Sequence, residues 1–336
     1  MTETSSGELP ILQLQDVDPR SVRVDPDTGV VSVEMFECLS LLGEISVNPG
    51  QVRLVITGDF VGSVQQRLAG DRSSEFDVER GAGMVAAKTM PGPDGFIDVL
   101  VPWWFFDVDR EPAQRAESAA LVVRTVVHEA HHVAMRQNQQ GYEHADVESW
   151  RETNLRSAAD SVIDEYRAES GVAATLVEEY SPWSPVEVLD ALGRDVGKAV
   201  ASYQEHLDVE RLAFETGTAC LVGWRALAYI AAVDVADRDR SPVTSEVAED
   251  PLWKRLAADY WDDFRAVLQT VPAGRDIMQQ AEIALAVETL AVLLGKWLDG
   301  LGFTWTDNEF RIQSWYFEDE YFLAAEDDRT EDDRIS

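Results

Sequence analysis

Residues 121–136 read LVVRTVVHEAHHVAMR, and three of the chain's five histidines fall inside that stretch. Working outward, Ala116, Ala119, Ala120, Val123, Val126, Val127, Ala130 and Ala134 recur at helical spacing. The segment 113–139 therefore reads as one long helix. On a helix, His128 and His132 project from one face, one turn apart. Two imidazoles so placed can bind a single Zn²⁺. Glu129 follows His128 directly and can act on a metal-held water without being a ligand, which is the HExxH pattern. His131 lies roughly 60° around the helix from His128 and is expected to pack or support rather than ligate.

A zinc enzyme needs a third protein ligand and an open position for water. No third histidine follows at metal spacing, because the chain continues VAMRQNQQGY after His132. A polar loop with Gly141 and His144 comes next, and then LRSAADSVIDEYRAESGVAATLVEEY (155–180) reads as a second helix. Glu165 and Glu169 are four apart on it and share a face. One can ligate the metal while the other accepts a proton from the far nitrogen of a ligating histidine, as metal sites usually require.

Upstream, between 21 and 107, the texture is β-like. VRLVITGDFVGSV, ERGAGMVAAKTM and GFIDVLVPWWFF are short apolar segments punctuated by Gly, Pro and Asp. VVSVEMFECLSLLGEI suits a strand or a helix equally. Downstream, SPVE (184–187) is a capping box with Pro at the first helical position. Helices over about 208–236, 251–270 and 274–299 follow. Strands then helices, without alternation, indicate an α+β protein. The expected divisions are a loose 1–20, a first domain over 21–182, a helical region over 183–323, and a solvated acidic tail over 324–336, with the main boundary at SPWSP (181–185).

HEAHH followed some thirty residues later by DEYRAE resembles the gluzincin class of zinc metallopeptidases, over about residues 95–180. In that class HExxH supplies two ligands and a glutamate on a following helix supplies the third, often as E-x-x-A-[DEN], which Glu165-Tyr-Arg-Ala168-Glu169 matches. The resemblance implies a zincin-like domain: a small mixed sheet, the HExxH helix and a second ligand-bearing helix. It implies that His128, His132 and Glu165 bind Zn²⁺, that Glu129 is the general base, and that Glu169 supports a ligand. The converse, Glu169 as ligand and Glu165 as support, is the alternative. It also implies an edge strand pairing with an extended peptide. GMVAAKTM and GFIDVLVPWWFF are the candidates for that strand, with Trp103 and Trp104 either lining a cleft or filling the core. An oxyanion-stabilising Tyr or His is expected too, among Tyr142, His144, Tyr166, Tyr180, Tyr203 and His206.

Bulk properties narrow the partners. With 28 basic against 62 acidic residues the net charge is −34, which repels nucleic acid and anionic membranes. A peptide or protein substrate is expected. Cys38 and Cys220 show no metal spacing, and such sparse use suits a reducing compartment. MTETSSGELP lacks the charged and apolar regions of a signal peptide, so the expected location is cytoplasmic. TACLVGWRALAYIAAVDVAD is interrupted by Arg225 and reads as a core helix rather than a membrane span. A rival reading is a non-catalytic zinc-binding or regulatory protein whose C-terminal helices bind a protein partner. A di-iron carboxylate bundle would want E-x-x-H on two helices, and a second is absent in the right context.

Overall fold

Ile11–Gln15, ILQLQ, alternates side chains across a strand and forms β1, inside the segment expected to be loose. It pairs in parallel with β2 (Val52–Thr57), from Ile11 opposite Arg53 to Gln15 opposite Thr57. In the computed structural model, residues 9–68, 78–81, 83–143, 149–176, 184–233, 243–306 and 309–312 are described. The protein is α+β and mostly helical, with a small mixed sheet.

Parallel strands need a crossover, and α1 (Val33–Ile45) supplies the one between β1 and β2. The sequence leaves this segment open between strand and helix. Ser32 decides it locally by accepting a hydrogen bond from Met35 N at 3.2 Å, a side-chain N-cap. Met35, Cys38, Leu39 and Leu42 then bury one helical face. VRLVITGDFVGSV is likewise two elements: β2 ends at Thr57, and Asp59 caps α2 (Phe60–Arg67) by accepting from Gly62 N at 2.9 Å. Helices and strands therefore alternate here, contrary to the expected block of strands.

The main sheet has the order β1-β2-β6-β5. β6 (Ile97–Pro102) is parallel to β2, whereas β5 (Lys88–Pro91) is antiparallel to β6 and forms an edge. GFIDVLVPWWFF thus contributes an interior strand, and the edge comes from the end of GMVAAKTM. Two residue pairs, β3 (Glu79–Arg80) and β4 (Gly83–Met84), form a separate small ladder. β2 and β6 are largely apolar on both faces because both faces are covered, and the one buried acid, Asp98 of β6, is paired with Arg53 of β2 and with Arg67. Leu54, Ile56, Val99 and Val101 pack with α1 and with α3 (Pro112–Gln137). Val55 and Leu100 pack with Phe60 and Val64 of α2. Trp103 and Trp104 are half-buried against the first of these cores.

α4 (Trp150–Thr175), α5 (Pro185–His206) and α6 (Val209–Val233) follow. By length and composition α6 is apolar enough to cross a membrane, but its Cys220, Trp224 and Leu227 lie in a protein core. The expected helix over 251–270 is broken at Ala257 (φ −134°, ψ −34°). Its two pieces are α8 (Pro251–Leu256) and α9 (Ala258–Leu268), and a short α7 (Ser245–Glu249) precedes them. α10 (Gln280–Gly300) begins with a capping box of Gln279 and Glu282. Its end is marked by Gly302, whose φ of +92° favours a residue without Cβ. The C-terminal region is not wholly helical. Aromatic and β-branched residues after that glycine form a hairpin, β7 (Phe303–Trp305) with β8 (Phe310–Ile312).

The chain divides into two compact units that interleave along the sequence. One comprises 1–140, 167–178 and 273–277; the other comprises 141–166, 179–272 and 278–336. The sequence suggests a single division near SPWSP, whose residues 181–183 lie outside the described residues, as does the acidic tail. The second unit has its own core of Trp224, Trp297, Phe264 and Leu294, in which the Trp297 indole N–H donates to Leu256 O at 2.6 Å. Both cysteines are buried and free, and burial pushes each thiol up to about 12.

Candidate metal centre

α3 begins at Pro112, where a missing N–H costs nothing, and buries Val122, Val126, Val127, Ala130, Val133 and Ala134. That stripe fixes the rotation of the helix and leaves His128 and His132 together on a half-buried face. Their rings meet edge to face with centroids 4.9 Å apart, and the two Nε2 atoms lie 3.1 Å from each other. Glu129 is buried, and its backbone carbonyl accepts a hydrogen bond from Thr89 Oγ1 at 3.2 Å. This bond ties the edge strand β5 to the turn that carries the histidines.

α4 supplies the acids. Its first turn is capped by Ser149, whose Oγ accepts from Glu152 N at 3.2 Å. Ligand atoms of His128, His132 and Glu165 lie within 4.8 Å of one another. Two nitrogens and a carboxylate oxygen at that spacing are a donor set for a divalent cation. Glu169, one turn further along α4, instead presents Oε2 to His128 Nδ1 at 3.2 Å, while its Oε1 accepts from Arg124. A carboxylate only accepts hydrogen bonds, so His128 must carry its proton on Nδ1. Its Nε2 lone pair then faces His132, and a cation fits there.

Glu165 is itself held. Tyr229 of α6 donates its hydroxyl to Oε2 at 2.6 Å, and Arg225 Nε stands 4.0 Å from Oε1. Arg225 also donates from Nε to Ser161 Oγ at 2.8 Å. Tyr229 was not among the aromatic and histidine candidates drawn from the sequence, because nothing in linear spacing connects residue 229 to residue 165. Arg124 was legible in principle: it sits four residues before His128 on the same helix. Of the expected oxyanion candidates, His144 and Tyr180 lie outside the described residues. Tyr166 is buried in the second core, and Tyr203 packs edge to face on His206.

His131 is 3% exposed, and among the described residues neither ring nitrogen has a hydrogen-bond partner. Burial first, and then the neighbouring His128, pushes it down to about 4. Its ring lies directly against the backbone of Gly171 on α4. A Cβ built there would stand 2.2 Å from Nε2, so only glycine allows the approach. We expect Gly171→Ala to destabilise the fold by about 1–3 kcal/mol, the usual cost of overpacking. The urea midpoint of the metal-free protein measures it, and an unchanged midpoint would mean that this contact does not set the α3–α4 packing.

No family model matches this chain, nor does any curated protein or solved structure.

Proposed function

We propose that the chain is a zinc-dependent metallopeptidase. The observation that carries the reading is the convergence of His128, His132 and Glu165. The choice of zinc rests on the chemistry of the donors: borderline-soft imidazole with one carboxylate is a common set for a catalytic zinc with an open position. Tetrahedral zinc with bonds of about 2.0–2.1 Å places two ligand nitrogens about 3.3 Å apart. The 3.1 Å between the two Nε2 atoms is close to that spacing.

Zn²⁺ bound there supplies a Lewis acid that lowers the pKa of a water to about 7 and polarises a carbonyl. The protein's own residues supply the rest. Glu169 and Arg124 hold His128 in the ligating tautomer, and Tyr229 holds the Glu165 carboxylate. Glu129 accepts the proton of the attacking water and returns it to the leaving amine. The edge strand β5, bonded to the backbone at Glu129, offers main-chain groups to an extended peptide. Neutral imidazoles are required for ligation, so activity falls in acid.

Elemental analysis tests the metal. The wild-type protein is expected to retain about one zinc per chain, and His128→Ala to lose it. A wild-type protein with no metal, or equal zinc in both, would contradict the assignment.

A further inference from the structure

Arg124 stands one turn before His128 on α3 and reaches the same carboxylate from the other side. Its Nη2 donates to Glu169 Oε1, while Oε2 faces His128 Nδ1 at 3.2 Å. The Glu169 side chain is 3% exposed and that of Arg124 is 15% exposed, so solvent competes little for either contact. A guanidinium has donors only, and therefore demands an acceptor from whatever group occupies position 169. A carboxylate has two acceptor oxygens and satisfies both neighbours at once.

We propose that Arg124 is a positioning residue for the metal centre. By taking one oxygen of Glu169 it commits the other to His128 Nδ1, and so holds the tautomer whose Nε2 lone pair faces His132. The inference rests on His128 being a metal ligand. It goes beyond an ordinary ion pair because it makes the orientation of the group that holds the His128 proton depend on a residue that touches neither the metal nor the ring.

Glu169→Gln makes the dependence visible. The side chain keeps its shape, but Arg124 takes the amide oxygen and turns the NH₂ toward Nδ1. That nitrogen must then accept, the proton moves to Nε2, and the atom that should ligate is blocked. Removing Arg124 as well frees the amide to rotate and present its oxygen to Nδ1–H. The double variant Arg124→Met/Glu169→Gln also leaves no buried unpaired charge, so its folding is less at risk than that of Arg124→Met alone.

Zinc affinity, measured by competition with a chromophoric chelator, is compared among wild type, Arg124→Met, Glu169→Gln and the double variant. The tautomer of His128 is read in the metal-free proteins by ¹⁵N NMR. We expect Arg124→Met to lose about tenfold in affinity and Glu169→Gln about 100-fold, spanning the usual range for partners of a ligand. The double variant should recover about tenfold over Glu169→Gln. His128 should be Nδ1–H in the wild type and the double variant, and Nε2–H in Glu169→Gln. A double variant that binds no better than Glu169→Gln overturns the proposal, because a merely structural role would make the two losses accumulate. If the wild type binds no zinc, the peptidase reading fails on its own. The tautomers still decide whether Arg124 orients residue 169 toward His128: the predicted reversal upholds that orienting role, and one tautomer in all four proteins overturns it.

Discussion

Glu129→Gln is expected to keep its zinc and lose hydrolysis. The substitution preserves shape and removes only the ability to take a proton, so the ligands at His128 and His132 are untouched. General-base catalysis contributes about 10²–10⁴-fold, and kcat should fall by that much with little change in KM. The contrast between metal content and turnover is the informative part. A variant that loses both has been damaged at the metal, and a variant that still cleaves peptide at the wild-type rate ends the assignment of Glu129.

Glu165→Ala should have the second largest effect. It removes the only oxygen donor of the group and leaves the Tyr229 hydroxyl without its 2.6 Å acceptor. Loss of a partner that merely supports a ligand costs about 10–100-fold in metal affinity, and loss of a ligand should exceed that. Glu169→Ala provides the comparison that separates the two acids. If Glu165 ligates and Glu169 supports, the first variant binds zinc more weakly than the second. The reverse order would exchange their roles.

The candidate site was legible because its residues obey helical spacing. His128 and His132 are four apart, as are Glu165 and Glu169, and each pair needs only one turn of helix to share a face. What lay beyond reach was the part that depends on packing between elements. Nothing in the order of residues says that Tyr229 meets Glu165, or that Gly171 is glycine because the His131 ring occupies the space of its Cβ.

The sheet was less legible than the helices. Composition marked 21–107 as β-like, yet α1 and α2 lie inside it, each started by a single capping side chain, Ser32 and Asp59. Their apolar residues suit either period over so short a run. β1 escaped notice because five residues, two of them Gln, carry little signal until β2 gives them a partner. The terminal hairpin was hidden for a similar reason: three residues a side are recognisable as strands only once Gly302 turns the chain away from α10.

X-ray absorption at the zinc edge tests the central claim most directly. Protein loaded with one equivalent of Zn²⁺ should show two imidazole nitrogens and a carboxylate oxygen at about 2.0–2.2 Å, with solvent completing the sphere. In His132→Ala the imidazole contribution should fall to one. A metal held by other donors, or a coordination sphere indifferent to His132→Ala, would contradict it.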